Sequence, residues 1–231
     1  MISKFILLTA ALSQLAHGGV IGHDKVAGFP ETVPPGIVGD VYKAYQPLLS
    51  VTSGCVPFPA VDAQGNTGGG LAVSGASNGG CSKNQGQIYV RGGPSGDKYA
   101  LMYSWYFPKD APSPGIGHRH DWEGVIVWLR DPTQTTPDNI LAVCPSGHGR
   151  WECSTNGYTL QGTRPLIQYY SIWPMDHLCG LTNRAGGSQP LIAYESLPEP
   201  ARAALETTDF DRAIVPFKND RWGQNVAAAT F

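Results

Sequence analysis

The densest group of chemically active side chains lies within the seven residues 117–123, which read GHRHDWE. This segment contains two imidazoles, two carboxylates and one guanidinium, although charged residues make up only 15% of the chain. A further carboxylate, Asp110, lies just upstream. Side chains of these types bind metal ions, transfer protons, or do both. The sequence therefore places its candidate site between residues 110 and 123.

The carboxylates of this cluster are spaced to point in a common direction. Asp121 and Glu123 are two residues apart, at the start of an apolar run that is typical of a strand. Because side chains alternate between the two faces of a strand, both carboxylates should point the same way. We expect a loop over residues 111–117, rich in proline and glycine, to fold back. Such a loop would bring Asp110 and His118 beside the two carboxylates.

The ligand types in this cluster favour a hard metal ion. Three carboxylates and one imidazole are offered by Asp110, His118, Asp121 and Glu123. Carboxylate-rich sites suit Mg²⁺, Ca²⁺ or Mn²⁺, whereas catalytic zinc usually takes more nitrogen or sulfur. The alternative interpretation is a surface ion-pair network with Arg119 that binds no metal. The cluster contains no G-x-S-x-G or phosphate-loop motif, so it does not by itself separate an enzyme from a binding protein.

The elements that must position this cluster are predicted to be mainly β. The chain contains 29 glycines and 19 prolines among 231 residues, which favours many turns. Apolar runs bounded by turn residues predict strands over residues 87–91, 99–107, 123–129, 140–144, 166–172 and 191–194. Helical spacing predicts helices over residues 37–49, 197–205 and 222–229, with Pro47 ending or distorting the first. We predict a single-domain β-sandwich with a few flanking helices.

The N-terminal residues 1–18 have the layout of a secretory signal peptide. Lys4 precedes an apolar run over residues 5–12, and small residues near Gly18 suit a cleavage site. We therefore expect residues 19–231 to form one secreted, extracellular domain. The formal net charge is −2 and the sequence has no basic run, which argues against nucleic acid as a partner.

Several segments resemble one protein family. Residues 100–110 (ALMYSWYFPKD) lead through Gly115-Ile116 into GHRHDWE. This stretch closely resembles the central signature of the necrosis- and ethylene-inducing-like proteins, the NLP cytolysins of plant-associated microbes. Further segments that look like family segments lie at residues 23–26, 54–62, 78–82 and 86–91. The resemblance covers essentially the whole mature chain, and its long central match is highly specific.

The resemblance implies a secreted phytotoxic cytolysin, not an enzyme, that damages plant plasma membranes and induces necrosis and immune responses. The family fold is a β-sandwich with flanking helices, similar to pore-forming actinoporins and certain fungal lectins. Family members bind the sugar head groups of glycosylinositol phosphorylceramides, which are plant sphingolipids. A divalent metal ion, here Mg²⁺ or Ca²⁺, lies in a negatively charged cavity, and the family's ligands match the four residues chosen above. We also expect a monomer in solution.

The resemblance assigns further residues to binding. The family's membrane-facing loop carries a Trp followed by Asp-His, which matches Trp173, Asp176 and His177. The remaining cavity residues are expected to be Arg119, His120 and His148. Without the family, Trp173 suits a membrane interface, a sugar or a core position equally well. The histidines outside the metal set are also compatible with ordinary hydrogen bonding.

The chain has five cysteines and no C-x-x-C motif, which makes a structural zinc site improbable. In an oxidising compartment, pairs should form disulfides and leave one thiol over. The resemblance implies a bridge between Cys55 and Cys81. Among the others, Cys144 could pair with Cys153 or with Cys179, and the sequence leaves both pairings open.

Two rival functions follow from the same residues. A secreted metal-dependent hydrolase would use Glu123 or His120 as the base that activates a bound water. A non-toxic lectin or elicitor would bind sugars or be recognised by the plant without damaging membranes. Residues 100–123 resemble the family peptide that plant immune receptors sense, so such a receptor is a further expected partner.

Overall fold

The structure, a computed structural model, describes residues 18–231. The signal peptide predicted over residues 1–18 therefore lies, apart from Gly18, outside the described residues. The strands are β1 (Val20–Ile21), β2 (Leu48–Val51), β3 (Thr67–Gly68), β4 (Ile88–Ser95), β5 (Lys98–Ser113), β6 (Ile116–Leu129), β7 (Ile140–Gly147), β8 (Arg150–Trp151), β9 (Leu160–Gln161), β10 (Arg164–Tyr170), β11 (Leu178–Leu181) and β12 (Leu191–Ala193). The helices are α1 (Ile37–Ala44), α2 (Glu199–Thr207) and α3 (Asn219–Ala228). The predicted fold class, mainly β with flanking helices, is confirmed. Within residues 18–231, no helix has the length and apolar character needed to cross a membrane.

The larger sheet has six strands in the order β12-β4-β5-β6-β7-β8. Its centre is the long antiparallel pair β5 and β6, which runs from Tyr99 opposite Leu129 to Asp110 opposite His118. Most of β5 is buried, as expected for a long, largely apolar run in the middle of a sheet. The polar and charged residues of the pair gather towards the hairpin end, which is where the candidate cluster lies.

The smaller sheet has four strands, with β11-β10-β2 in order and β9 paired to β10 beside this path. The strand β10 pairs antiparallel with β11 and parallel with β2. Between the two sheets, the rings of Phe107 on β5 and Tyr169 on β10 stack with their centroids 3.8 Å apart. Both rings are fully buried. The two sheets therefore share one core, which is the predicted single-domain sandwich.

The first helix is shorter than predicted. It ends at Ala44, and the chain becomes extended again at Leu48, so the helical pattern does not reach residue 49 and the expected interruption at Pro47 is confirmed. Pro47 explains the change, because proline has no N–H for a helical hydrogen bond and disfavours helix at the residue before it. The helix is tied to the large sheet by Tyr103, whose hydroxyl donates to the Tyr42 carbonyl at 2.7 Å.

The loop predicted over residues 111–117 is instead the end of a hairpin. The strand β5 continues to Ser113 and β6 begins at Ile116, with a β-bulge between Asp110 and Ser113. Bulges accommodate residues such as proline that cannot donate to the ladder. Gly117 has a φ of 109°, and a Cβ there would lie 2.1 Å from the Asp110 carbonyl oxygen, so only glycine fits. The upstream part of the cluster is therefore held by paired strands.

Two disulfides connect the loops to the sheets. The Cys55–Cys81 bridge implied by the resemblance is present, with an S–S distance of 2.01 Å. Cys144 pairs with Cys153 at 2.03 Å, which decides between the two pairings left open by the sequence. Cys179 is the free cysteine of the described residues, and it is buried. The second bridge closes the turn between β7 and β8, beside the candidate site.

Candidate functional site

The four predicted metal ligands line one cavity. It has a volume of about 330 Å³ and lies at the hairpin end of β5 and β6. This volume is at the lower end of the roughly 300–1,000 Å³ that small-ligand pockets occupy. The acidic and imidazole groups in its wall include Asp110, His118, Asp121, Glu123 and Asp176.

A local distortion of β6 makes this convergence possible. His118 and Asp121 are three residues apart and would face opposite sides of a regular strand. His120 lies between them with a φ of 59°, a left-handed conformation that is uncommon for residues other than glycine. This residue interrupts the alternation, and His118 and Asp121 line the same cavity. The four side chains therefore line one cavity as expected, but a bulged hairpin over residues 111–117 brings them together and not the folded-back loop that was predicted.

Asp110 is oriented by His177. The Nδ1–H of His177 donates to Asp110 Oδ1 at 2.6 Å, and its backbone N–H donates to Asp110 Oδ2 at 2.7 Å. Both side chains are buried, and the His177 ring stacks on Tyr169 with centroids 4.9 Å apart. Outer partners of this kind hold metal-binding groups in position. The structure thus buries His177 against Asp110 in the cavity wall and not at the exposed membrane-facing position that the resemblance implied.

His118 presents one ring nitrogen to the acidic groups. Its Nδ1 lies 2.7 Å from the carbonyl oxygen of His120, and because a carbonyl only accepts, Nδ1 carries the proton. The other nitrogen, Nε2, lies 3.9 Å from Asp110 Oδ2 and 3.7 Å from Asp176 Oδ2. In this tautomer, neutral His118 directs a lone pair towards the carboxylates, which is the arrangement that a metal ligand needs.

Asp121 and Glu123 accept hydrogen bonds from neutral hydroxyl groups. The Tyr169 hydroxyl donates to Asp121 Oδ2 at 2.7 Å, and the Ser146 hydroxyl donates to Glu123 Oε2. Ser146 Oγ in turn accepts from the backbone N–H of Gly124 at 2.7 Å. Hydroxyl groups orient a carboxylate without neutralising it. The negative charge of the ionised pair therefore stays available to a cation in the cavity.

Burial raises the pKa of both carboxyl groups. Desolvation is the largest cause for Asp121, and the nearby charges of Glu123 and Asp110 move its pKa further upward, well above the usual range. Desolvation also raises the pKa of Glu123 to about 8, although the Ser146 hydrogen bond acts in the opposite direction. Ionised carboxylates that lack water and repel one another need a compensating positive charge. A cation or a bound proton can supply it.

The donor set fits a hard divalent ion. The ligating atoms of Asp110, His118 and Asp176 lie within 4.8 Å of one another. Asp121 and Glu123 add two buried carboxylates to the same cavity. A set that is mostly carboxylate with one imidazole matches the preference of Mg²⁺ or Ca²⁺ for oxygen. Asp176, which the resemblance assigned to the head group, thus joins the candidate metal ligands.

The loop between β10 and β11 exposes apolar side chains beside the cavity. Trp173 is 71% exposed, and its neighbours Ile172 and Met175 are 56% and 47% exposed. The same loop continues into Asp176, which lines the cavity. Trp173 is therefore a surface residue and not the core residue that the sequence also allowed.

The other predicted cavity residues separate into two groups. His148 lies exposed at the turn between β7 and β8 and lines the cavity. Arg119 and His120, although both are described by the structure, do not line it. Arg119 Nη1 donates to the Gly69 carbonyl at 2.7 Å, and His120 Nδ1 lies 2.6 Å from the Tyr106 hydroxyl. Burial lowers the pKa of His120 to about 4.

Sequence reasoning missed the residues that orient the carboxylates. A weak indication of Ser146 was present in the sequence, because it lies in the short segment that contains His148. No local pattern points to Tyr169, since it lies within an apolar strand where its hydroxyl is indistinguishable from those of other buried tyrosines. Only the packing of the smaller sheet, which contains β10, against the larger sheet, which contains β6, brings the Tyr169 hydroxyl to Asp121.

Comparison with known proteins identifies the family. The family model described as "Necrosis inducing protein (NPP1)" matches residues 39–229. The chain belongs to this family. One relative is "NLP effector protein 10" of Phytophthora capsici, which is 42% identical over 236 residues that cover 100% of each chain. The membership expected from the sequence segments is thereby confirmed.

Solved structures of relatives share the fold. "NLPPya in complex with mannosamine" is 44% identical, with a TM-score of 0.86 over 92% of this chain and 99% of that one. A second structure, "Crystal structure of non-toxic HaNLP3 protein", is 37% identical, with a TM-score of 0.85 over 90% of this chain and 98% of that one. One NLP relative therefore contains an amino sugar, and another is described as non-toxic.

Proposed function

We propose that this NPP1-family protein is a secreted, non-enzymatic cytolysin that binds the sugar head group of plant glycosylinositol phosphorylceramide together with a divalent ion. Binding at the host plasma membrane then leads to membrane damage and necrosis. One structural observation carries the proposal. The loop that exposes Trp173 also contributes Asp176 to the acidic cavity, so a ligand in the cavity lies next to a loop with three exposed apolar side chains.

Different cavity residues would bind the ion and the sugar. Asp110, His118, Asp121 and Glu123 would hold the ion, with Asp176 beside them. A bound divalent ion supplies positive charge that coordinates sugar hydroxyl oxygens. Asp176 is partly exposed, so its carboxylate can also accept hydrogen bonds from a sugar. The mannosamine bound by the NLPPya relative supports a sugar as the ligand here.

The apolar loop suits a membrane interface. Indole rings favour the region between head groups and acyl chains, and Trp173 has no packing role that would otherwise explain it. Ile116 at the hairpin turn is 42% exposed and lines a shallow groove together with Met175. Two loops therefore offer apolar contacts on the side where the head group would enter.

Vesicle leakage tests the proposal. Vesicles that contain glycosylinositol phosphorylceramide should leak in the presence of Mg²⁺ or Ca²⁺ and should stay intact with a chelator. The substitution Glu123→Gln keeps an acceptor for Ser146 but removes a charged ligand, so it should abolish leakage. Glu199→Gln is the matched control, because Glu199 is an exposed residue of α2 that does not line the cavity. Equal leakage from plain anionic phospholipid vesicles would refute head-group recognition.

A non-cytolytic sugar-binding protein is the second candidate, because the non-toxic HaNLP3 structure has nearly the same fold. Ion-dependent binding to glycolipid vesicles without leakage would favour it. Turnover of a soluble glycoside or phosphoester would instead support a metal-dependent hydrolase. In that case Glu123 would be the base, since His120 does not line the cavity.

A further inference from the structure

The cavity wall also contains three arginines, Arg150, Arg212 and Arg221. They come from separate parts of the chain: β8, the segment between the Phe210–Ala213 bridge partners, and the start of α3. None of them belongs to the GHRHDWE cluster, and the metal chemistry does not use them. The same cavity therefore holds an acidic group and a basic group of side chains.

These arginines are not neutralised by the protein. The ion pairs found within residues 18–231 all involve lysine or histidine. Even Asp211, next to Arg212 in sequence, makes no ion pair with it in the described structure. Arg221 Nη1 has one long contact of 3.4 Å to Gln224, and its buried Nε–H has no acceptor among the described residues. Arg150 and Arg212 are exposed, whereas the buried Arg221 donor without an acceptor is costly, so this wall is suited to an external anion.

The wall is held in place by hydrogen bonds between its elements. The Trp151 indole N–H on β8 donates to Asn225 Oδ1 on α3 at 3.3 Å. The Asn225 side-chain amide donates in turn to the carbonyl of Pro216 at 2.8 Å. These bonds link β8, α3 and the segment that follows Arg212. The backbone segments that carry the arginines are therefore fixed before a ligand binds, which lowers part of the entropic cost, while the side chains of Arg150 and Arg212 are exposed.

We propose that Arg150, Arg212 and Arg221 form a phosphate subsite for the ligand whose sugar lies over the acidic group. The inference rests on the proposed function and extends it to a second part of the head group, its phosphodiester. Guanidinium groups match the geometry of phosphate oxygens. A single arginine can satisfy a carboxylate with two parallel hydrogen bonds, whereas donors from three elements suit the several oxygens of a phosphate.

The two charged groups make the subsite dependent on the ion. Any ionised carboxylate of the cavity repels a phosphate, and a bound cation reduces this repulsion. Phosphate and the divalent ion should therefore bind with positive coupling, and by linkage each should strengthen the binding of the other.

Titration calorimetry with myo-inositol 1-phosphate tests the subsite. In Mg²⁺, each of Arg150→Gln, Arg212→Gln and Arg221→Gln should weaken binding about tenfold, the effect of losing one charge-assisted hydrogen bond. Arg184→Gln removes the same charge from an exposed position outside the cavity and should change nothing. Inorganic phosphate is the second probe, and tighter binding of the inositol ester assigns a lipid head group. Removal of Mg²⁺ should weaken both.

A second titration separates this inference from the proposed function. Glucosamine binding in Mg²⁺ should be unchanged in the three arginine variants, which also shows that they are folded. Equal affinity of all variants for the inositol phosphate would overturn the subsite, as would tighter binding of glucuronate than of the phosphate. A wild-type protein that binds the phosphate but neither amino sugar nor glycolipid vesicles would refute the proposed function and leave the subsite standing.

Discussion

The buried carboxyl of Glu123 should make the stability of the ion-free protein fall as the pH rises. Its pKa is about 8 in the folded protein, compared with 4.5 for the free side chain. Between these values the folded protein binds a proton that the unfolded chain has released. Because the unfolded state then binds fewer protons, the free energy of unfolding decreases with pH. The decrease begins near pH 4.5 and is complete above about pH 8. Asp121 acts in the same direction, since burial raises its pKa too.

The size of this loss of stability follows from the difference between the pKa of Glu123 in the folded protein and that of the free side chain. Each pKa unit corresponds to about 1.4 kcal/mol, so Glu123 alone would lower the free energy of unfolding by at most about 4–5 kcal/mol at high pH. A natural domain has only about 5–15 kcal/mol in total. For a chain of this size, a loss of that order lowers the melting temperature by roughly 10 °C or more. A divalent ion should reverse the loss, because it binds the folded cavity and stabilises the ionised carboxylates.

Urea unfolding at pH 5 and pH 8 measures the loss of unfolding free energy with pH. The measurement is made first with a chelator and then with Mg²⁺ or Ca²⁺, which shows how much the ion restores. Glu123→Gln should unfold with a much smaller pH dependence and a much smaller response to the ion than the wild type. Subtracting the two profiles leaves the contribution of Glu123 and the part of the Asp121 shift that the Glu123 charge causes, and Glu199→Gln should behave like the wild type. If Glu123→Gln showed the same pH profile as the wild type in chelator, the assignment of a buried, protonated Glu123 would be wrong.

Three further outcomes follow from the structure. Trp173→Ala should abolish vesicle leakage and change the melting temperature little, because the indole is exposed; a large loss of stability with unchanged lipid binding would contradict this. His177→Asn should weaken ion binding about 10- to 100-fold by calorimetry, since the imidazole orients Asp110, and unchanged affinity would remove that role. Replacing Cys144 and Cys153 with serine should lower the free energy of unfolding by about 2–3 kcal/mol in urea, and a neutral result would show that the bridge adds no stability.

Much of the fold follows from local sequence patterns. The strands around β5 and β6 are long apolar runs bounded by turn residues, and such runs predict buried strands well. The errors lie where several preferences compete. A helical pattern continued past Pro47, and the prolines after Asp110 looked like a loop although a bulge and Gly117 allow the strands to pair.

The candidate site was predictable in its ligands but not in its geometry. Residue chemistry alone selects four carboxylate and imidazole side chains within fourteen residues of sequence, from Asp110 to Glu123. Their partners come from distant strands, and no local pattern identifies Tyr169 or Ser146 as donors to them. The left-handed conformation of His120 is equally hidden, because it depends on tertiary packing against Tyr106 and its neighbours. The geometry of the site therefore depends on tertiary contacts that the local sequence does not reveal.

The arrangement of the charged side chains in the cavity explains how it can accept both ends of a ligand. The carboxylates of Asp121 and Glu123 are hydrogen-bonded to hydroxyl groups and not to arginine, so they are positioned without being neutralised. The three cavity arginines are likewise free of ion pairs within the described residues. Had the two groups paired with each other, their Coulomb attraction would stabilise the empty cavity and a ligand would have to break it. Because they stay apart, the acidic group retains its affinity for a cation and the arginines retain theirs for an anion.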